Sequence, residues 1–247
     1  MRFEVLGTIG AGQAPIHGRL RRTLLGLLLA GAGTTVRAEV LTGALWDCGP
    51  DPRAPRKLHW HVHKLRQDLP EPGRLSRRPG GYRLTVLPGE LDAERFESAA
   101  IRAQELTDPA ERAALLRQGL ALWQGTPYEG FEVPMLLGEA SRLAERKLSM
   151  LEELHAAELE LGWHTAAAVE LGGLVRRYPR RERLYYLLML ALCRGGRQSE
   201  ALDVYRRARR VSLGQAGLEP GPALRELERR ILAGEDSEKA RTLTRLS

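Results

Sequence analysis

Cysteine is almost absent from this chain, since Cys48 and Cys193 are the only two among 247 residues. Two cysteines so far apart can form neither a disulfide framework nor a zinc site with the usual ligand spacing. Proteins without disulfides are typical of reducing compartments. The sequence therefore predicts a cytoplasmic protein without a structural metal.

Long apolar runs are also lacking. The apolar run at 24–33 is too short to cross a bilayer. Arg21 and Arg22 precede it, as in a signal peptide, but a strand-like segment that contains Glu4 comes earlier still. We expect a buried helix here and no membrane partner.

The common catalytic motifs are missing too. The sequence contains no phosphate-binding Gly-x-x-x-x-Gly-Lys-Ser/Thr, no Gly-x-Ser-x-Gly and no His-Glu-x-x-His. Gly7, Gly10 and Gly12 have the wrong spacing for a dinucleotide loop and are interpreted as turn glycines. Glu152-x-x-His155 matches half of a di-iron helix motif without a second copy, and we interpret it as an exposed helix face. The sequence thus predicts no enzyme, no metal and no cofactor.

Positive charge is concentrated in one part of the chain. Residues 1–90 hold 14 Lys/Arg against 7 Asp/Glu, a net charge of +7, whereas residues 91–247 hold 24 of each. All the excess positive charge therefore lies in the N-terminal third. This asymmetry predicts a nucleic acid, or another anionic surface, as the partner of that third alone.

The first 90 residues have the pattern of a small α+β domain. Short strands are expected at 2–6 and 9–16, helices at 19–32, 36–46 and 51–69, and a turn at Gly49-Pro50. A hairpin over 75–87 follows, with Pro79-Gly80-Gly81 as its turn. Strands, three helices and a terminal hairpin make a winged helix, which should end near residue 89.

The third predicted helix has two contrasting sides. Leu58, Val62, Leu65 and Leu69 form an apolar stripe at i, i+4, i+7 and i+11. The side opposite the stripe is basic, with Asp51 and Asp68 as its counter-charges. In the hairpin, Tyr82, Leu84 and Val86 alternate with Arg83 and Thr85, so that one face packs and the other points outward. A basic helix beside a basic hairpin is suited to duplex DNA.

We predict a DNA-binding site of ten side chains: Arg53, Arg56, Lys57, Trp60, His61, His63, Lys64, Arg77, Arg78 and Arg83. Helix arginines can bind guanine edges or phosphates, Trp60 can contact thymine methyls, and hairpin arginines suit phosphates or the minor groove. Six to eight phosphate contacts predict a slope of about −5 to −7 for log K against log salt. Protonation of the histidines near pH 6 would strengthen DNA binding. Only His59 and His63 share a helix face and no third ligand is evident, so a metal site is not expected.

The rest of the chain is predicted to be helical. Helices are expected at 92–105, 109–123, 135–161, 165–177, 181–195, 198–214 and 222–232, followed by a flexible tail at 235–247. A shift of 34 positions superposes Gly162, Ala167, Leu171 and Leu174 on Gly196, Ala201, Tyr205 and Ala208. This is the tetratricopeptide period. The predicted fold is an α+β winged helix followed by an all-α tetratricopeptide-like domain.

The ordered motifs resemble a known family. The segment 77–84 resembles the wing of OmpR-type winged helices, and 58–66 resembles their recognition helix. Segments 90–92, 120–125 and 217–222 are similar to the bacterial transcriptional activation domain. This order resembles the Streptomyces antibiotic regulatory proteins, with a DNA-binding domain at 1–89 and an activation domain at 90–234.

That resemblance implies a sequence-specific activator of antibiotic or other secondary-metabolite gene clusters. Such proteins bind direct repeats near promoters as homodimers and recruit the RNA polymerase holoenzyme, which places them on the nucleoid. Two alternatives remain from the residues alone: a helical scaffold whose basic domain binds an acidic protein, and an enzyme carried on helical repeats. A concave repeat surface could in addition hold a small-molecule effector.

Overall fold

The computed structural model describes residues 2–12, 15–46 and 51–234. Within these ranges the protein is mostly helical, with ten α-helices, one short 3-10 helix and five short strands. None of the helices there is long and apolar enough to cross a membrane. The predicted Gly49-Pro50 turn and the predicted tail at 235–247 lie outside the described residues, as do residues 13–14 of the second predicted strand.

The chain divides into two compact units. Unit one comprises Met1–Glu105 and Arg117–Ser149, and unit two comprises Leu106–Leu116 and Met150–Ser247. Of the three division points, those after residues 116 and 149 lie inside helices, namely α5 (Pro109–Leu120) and α6 (Pro134–Glu160), and the one after residue 105 comes before α5. Unit one therefore extends beyond residue 89, the predicted end of the winged helix.

Unit one contains all five strands of the described residues and the first four helices. In chain order its elements are β1 (Phe3–Glu4), β2 (Gly10–Ala11), α1 (Arg19–Ala30), β3 (Val36–Arg37), α2 (Ala38–Trp46), α3 (Ala54–Asp68), the 3-10 helix Pro72–Arg74, β4 (Leu75–Arg78), β5 (Gly81–Leu84) and α4 (Asp92–Glu105). Helices α1, α2 and α3 pack against one another. Leu58, Val62 and Leu65 of α3 are fully buried, which confirms the apolar stripe predicted from the sequence.

A three-stranded sheet with the order β3-β5-β4 flanks these helices. The prediction of a helix at 36–46 was wrong at its start. Val36 and Arg37 form strand β3 instead and pair with Tyr82 and Gly81. A Cβ atom on Gly81 would lie 2.1 Å from the carbonyl oxygen of Val36. Only glycine at this position lets β3 approach so closely. Pairing with a distant strand has thus displaced the first turn of the expected helix.

The hairpin turn is shorter than predicted. Gly81 was assigned to the turn, but it is the first residue of β5 and pairs with Arg78 of β4. Two residues, Pro79 and Gly80, therefore make the connection. Gly80 has a φ of +76°, which a glycine adopts without strain. Strand pairing thus continues up to Arg78 and Gly81, the residues on either side of the two-residue turn.

The segment that follows β1 packs against residues beyond the hairpin. The carboxylate of Asp92, at the start of α4, accepts hydrogen bonds from the backbone N–H groups of Val5 and Leu6 at 2.9–3.0 Å. The N–H groups of Gln124 and Tyr128 donate to the carbonyl oxygens of Leu6 and Val5, each at 2.9 Å. These bonds explain why unit one includes residues far beyond position 89.

In unit two, helices α7 (His164–Arg177), α8 (Glu182–Arg194), α9 (Gln198–Ala216) and α10 (Pro222–Leu232) follow the C-terminal part of α6. Helix α8 packs against α7, α9 and α10. The 34-residue repeat has a structural counterpart. Gly162 and Gly196 precede α7 and α9 with φ values of +82° and +77°, and Ala167 and Ala201 are both fully buried. The repeated residues thus mark equivalent positions in two successive helix pairs.

The interpretation of Glu152 and His155 as an exposed face was wrong. Glu152 is only 4% exposed and His155 is fully buried. The Nε of Arg181 donates to Glu152 Oε1 at 2.7 Å, and His155 Nδ1 lies 2.7 Å from Glu158 Oε2. Paired partners allow these polar groups to enter the interior. Across the described ranges, no three His, Cys, Asp or Glu side chains are grouped so as to hold a metal ion.

Candidate nucleic-acid interface

Helix α3 begins at a turn closed by Asp51. One Asp51 oxygen accepts a hydrogen bond from the backbone N–H of Arg53 at 2.8 Å, and the other pairs with Lys57 Nζ at 2.9 Å. The hydrogen bond from Lys57 holds the pKa of Asp51 below its usual value, with the Arg53 N–H acting in the same direction. Pro55 lies in the first turn, where its missing N–H is tolerated. Both partners of the surface pair are accessible, so an incoming phosphate can displace Asp51 from Lys57 at little cost.

The outward side of α3 is polar and basic along its length. Its exposed residues are Arg56, Lys57, His59, Trp60, His63 and Gln67, with Arg53 exposed just before the helix. Gln67 links two predicted contact residues, because its Oε1 accepts from Lys64 Nζ at 3.1 Å and its Nε2 donates to His63 Nε2 at 3.2 Å. This chain of hydrogen bonds orders the exposed side chains on the C-terminal half of the helix.

Asp68 does not neutralise this surface. Its carboxylate binds the guanidinium of Arg21 on α1 at 2.8 and 3.0 Å, in a partly buried ion pair. The pair joins the end of α3 to α1. The outward face therefore keeps its positive charge, with Asp51 as its counter-charge.

The basic hairpin, formed by β4, the Pro79-Gly80 turn and β5, presents arginines on both of its faces. Arg77 lies opposite Tyr82, on the face that also carries the buried Leu75 and Leu84. Arg78 lies on the other face, together with Arg83. Arg77 and Arg78 are exposed near the turn. Arg83 is half-buried, and its Nε makes no hydrogen bond to any described residue.

A groove separates the N-terminal half of α3 from the tip of the hairpin. Arg56 and His59 line it from the helix, and Arg77 and Arg78 line it from the hairpin. Glu39, at the start of α2, is the acidic residue in its wall. We call this feature the basic groove. It brings three of the predicted DNA-binding arginines together, although 21 residues separate Arg56 from Arg77 in the sequence.

His61 is placed differently from the other predicted contact residues. Its ring lies between Trp46 and Trp60, with centroid distances of 5.8 and 4.8 Å. Burial lowers the pKa of His61, and the charge of Arg21 lowers it further. Its Nδ1 atom is buried without a hydrogen-bond partner among the described residues. The His61 ring thus packs against Trp60, which remains 55% exposed.

One hydrogen bond joins the hairpin to α3, and further contacts close the base of the hairpin. The Nε of Arg66 donates to the carbonyl oxygen of Leu75, the first residue of β4, at 2.7 Å. The N–H of Thr85 donates to the carbonyl oxygen of Arg74 at 2.9 Å, and the Arg74 guanidinium pairs with Glu71 and Glu90. The start of β4 is thereby tied to α3, the helix that forms the other wall of the basic groove.

Sequence reasoning missed two residues of this surface. His59 lines the basic groove, whereas its spacing in the sequence relates it only to a possible metal site with His63. Arg37 is exposed on β3, directly opposite Gly81, and adds a positive charge beside the hairpin. The β-branched run Thr34-Thr35-Val36 before Arg37 was the available signal for a strand at this position.

Comparison with known proteins identifies the second half of the chain. Residues 91–232 match the family model described as the bacterial transcriptional activator domain. The chain is 39% identical over 240 residues to the regulatory protein AfsR of Streptomyces coelicolor, covering 94% of this chain and 24% of AfsR. It therefore spans about a quarter of the length of that relative.

Shorter relatives are matched over most of their length. The regulatory protein DnrI of Streptomyces peucetius is 31% identical over 251 residues, covering 94% of this chain and 92% of DnrI. The transcriptional regulator RedD of Streptomyces coelicolor is 33% identical over 247 residues, covering 94% and 71%.

A solved structure matches nearly the whole chain. The structure of Mycobacterium tuberculosis EmbR, determined in complex with a low-affinity phosphopeptide, superposes with a TM-score of 0.88 at 28% identity. The match covers 98% of this chain and 68% of the EmbR chain. These similarities show that the chain belongs to the Streptomyces antibiotic regulatory proteins, a family of transcriptional regulators with a bacterial transcriptional activator domain.

Proposed function

We propose that this chain is a sequence-specific DNA-binding transcriptional activator of an antibiotic or other secondary-metabolite gene cluster. Residues 1–89 form an OmpR-type winged helix, and residues 90–234 form a tetratricopeptide-like activation domain. The observation that carries the proposal is the basic groove between α3 and the hairpin, next to the exposed outward face of α3. The relatives of this chain are named as regulators, which supports the same function.

In this proposal α3 enters the major groove of the DNA. Trp60, His63 and Lys64 face the base edges, where Trp60 contacts thymine methyls and the polar side chains bind acceptor atoms. Arg53, Arg56 and Lys57, at the N-terminal end of the helix, bind phosphates or guanine, and the helix dipole favours phosphate there. His61 contributes by holding the ring of Trp60 in place.

The hairpin contributes affinity for the DNA backbone. Arg77 and Arg78 are exposed on opposite faces beside the turn, so both can reach phosphates on either side of a groove edge. Arg83 lies further from the turn and is half-buried, and it adds positive potential close to the same strand. These contacts are independent of base sequence and set the register of α3 on the duplex.

The partners follow from the family. Two copies bind direct repeats near a promoter as a homodimer, and the activation domain recruits the RNA polymerase holoenzyme. The protein acts on the nucleoid in the cytoplasm, without a cofactor and without an enzymatic activity of its own.

A DNase I footprint on the promoters next to its own gene tests the proposal. We expect two protected segments of equal length and similar sequence, in the same orientation. The matched control is the variant Trp60→Ala, which should lose protection at concentrations where the wild type gives a full footprint. If no promoter fragment is protected at low salt, the protein is not a sequence-specific DNA binder.

The alternative, a scaffold whose basic surface binds an acidic protein, predicts a different outcome. A scaffold would keep its protein partner when duplex DNA is added in excess. A DNA-binding activator would release an acidic competitor from the basic groove under the same conditions, because both ligands use the same arginines.

A further inference from the structure

The C-terminal half of α3 carries three polar side chains that hydrogen bonds join to one another. His63 and Lys64 precede Gln67 by four and three residues, so the three side chains meet on one face of the helix. Lys64 Nζ donates to Gln67 Oε1 at 3.1 Å, and Gln67 Nε2 lies 3.2 Å from His63 Nε2. We call these three residues the polar triad. Gln67 is absent from the predicted DNA-binding side chains, yet it contacts both of the other members.

Lys64 decides which way the amide of Gln67 points. An ammonium group has donors and no acceptor, so the Gln67 atom that faces it must be the carbonyl oxygen. The amide nitrogen then faces His63, and because this nitrogen can only donate, His63 Nε2 has to accept. A ring nitrogen that accepts a hydrogen bond carries no proton. The geometry of the polar triad therefore requires a neutral His63 with its proton on Nδ1.

This arrangement differs from the tautomer that water favours. In water a neutral histidine side chain carries its proton mainly on Nε2, whereas in a protein a partner at one ring nitrogen fixes the proton on the other. His63 is exposed, and its Nδ1 has no hydrogen-bond partner among the described residues. The bond with Gln67 thus leaves an N–H donor at the surface, where the other tautomer would present an acceptor.

The unused hydrogen-bonding groups of the polar triad are mostly donors. They are the Nδ1–H of His63, the remaining ammonium hydrogens of Lys64 and the second amide hydrogen of Gln67. The Gln67 oxygen already accepts from Lys64. The acidic residue of α3, Asp68, does not compete for these donors, because its carboxylate binds Arg21 at 2.8 and 3.0 Å. The polar triad is therefore matched to a partner with closely spaced acceptors.

We propose that Gln67 is a positioning residue, which makes His63 a donor and thereby sets the polar triad to select guanine in the major groove. Guanine presents two acceptors there, N7 and O6, whereas adenine presents an acceptor beside an amino donor. Donors from His63 and Lys64 match the two guanine acceptors. With its proton on Nε2 instead, His63 would accept from the amino group of adenine. This inference rests on the proposed function, because it assigns a base to the helix that enters the major groove.

Nitrogen NMR of the full chain without DNA tests the positioning role of Gln67. The chemical shifts of the ring nitrogens report which one carries the proton, at about pH 8, where ordinary histidines are neutral. We expect a protonated Nδ1 and an unprotonated Nε2 for His63. His17 and His59 are exposed, and their rings have no hydrogen-bond partner among the described residues, so the opposite tautomer should dominate in both. The same tautomer in all three residues would overturn the positioning role.

Two variants show whether Gln67 causes this tautomer. Gln67→Glu keeps an oxygen for Lys64 but cannot donate to His63, so His63 should return to the tautomer with its proton on Nε2. Gln118→Met is the matched control, because Gln118 is exposed on α5 and lies outside the polar triad. It should leave the spectrum of His63 unchanged. A His63 tautomer that persists in Gln67→Glu would show that Gln67 does not set it.

Base analogues in the footprinted duplex test the selection of guanine. Each guanine is replaced in turn by 7-deazaguanine, which pairs with cytosine but lacks the N7 acceptor. At one guanine in each protected segment, the replacement should weaken binding of the wild type about tenfold, and binding of Gln67→Met by about threefold or less. Gln118→Met should keep the wild-type loss. Guanines that the arginines at the start of α3 bind should show equal losses in all three proteins, which makes them internal controls.

The outcomes separate this inference from the proposed function. If every 7-deazaguanine replacement cost the wild type and Gln67→Met the same, the polar triad would not select guanine, although the footprint would still establish DNA binding. An absent footprint would instead overturn the proposed function, and the assignment of guanine with it. The NMR measurement uses no DNA, so the tautomer of His63 is decided in either case.

Discussion

Neutralising the three arginines of the basic groove should weaken binding to every duplex and flatten its salt dependence. Arg56, Arg77 and Arg78 are exposed, and none of them has an ion-pair partner among the described residues. Their full charge is therefore available to phosphates. Because each is exposed, replacing it with alanine should change the free energy of unfolding by no more than about 0.5 kcal/mol.

The expected change in salt dependence follows from counterion release, because each cation that binds a phosphate releases counterions from the DNA. Each lost phosphate contact reduces the slope of log K against log salt by about 0.9. If all three arginines bind phosphate, a slope of about −5 to −7 should become about −2 to −4 in the triple variant. Between about 50 and 200 mM salt, the wild type should then lose three to four orders of magnitude in affinity, and the variant about two.

Fluorescence anisotropy of a labelled promoter duplex at several salt concentrations measures both slopes. The control variant replaces Arg176, Arg210 and Arg225 with alanine, since these arginines are exposed in unit two and their loss changes the net charge equally. The control should keep the wild-type slope. If it lost as much slope as the groove variant, net charge rather than the groove would bind the duplex, and the reasoning would be refuted.

Three further predictions follow from individual side chains. Gly81→Ala should destabilise the protein by about 2 kcal/mol or more in urea unfolding, because the new Cβ would lie 2.1 Å from the carbonyl oxygen of Val36. As a control, Gly43→Ala should stabilise the protein by about 0.5–1 kcal/mol, because nothing lies within 4 Å of a Cβ at that position. Trp60→Ala should cost about 1–3 kcal/mol in binding to the footprinted site and alter sequence preference, while unfolding is little changed; equal losses on all duplexes would contradict base reading. The pKa of His61 lies below its ordinary value of 6.5, so the folded state binds its proton less readily and stability should fall as the pH drops below about 6.5; His61→Phe should reduce that dependence in thermal melts, and an unchanged dependence would contradict the assignment.

Much of the helical structure could be predicted from the sequence. Helices α4 and α10 begin and end where the pattern predicted, at Asp92–Glu105 and Pro222–Leu232. Local signals, such as the proline in the first turn of α10, define these boundaries. Strand β3 could not be predicted in this way, because a two-residue strand exists only through pairing with β5. Its stability depends on a partner more than 40 residues away in the sequence.

The candidate site likewise has features that local sequence patterns predict and features that depend on distant residues. Periodicity alone separates the buried stripe of α3 from its basic face. The packing of His61 between two tryptophans depends on Trp46, a residue of another helix, and no pattern within α3 indicates it. Glu152 was misread for the same reason, because its partner Arg181 lies 29 residues further along the chain. Sequence patterns indicate which side chains face outward, but not which polar side chains find partners inside.

The same distinction applies to the predicted end of the winged helix. Sequence motifs predict that the winged helix ends at residue 89. Asp92 lies just beyond that residue, and its carboxylate accepts hydrogen bonds from the backbone N–H groups of Val5 and Leu6. Both of these residues are buried, so without the carboxylate their N–H groups would lack partners in an apolar environment. A sequence module is defined by the motifs it contains, whereas a folding unit is defined by where its backbone hydrogen bonds are satisfied. In this chain the unit that contains α3 and the hairpin therefore includes residues of the matched activator domain, because Asp92 satisfies the N–H groups of Val5 and Leu6.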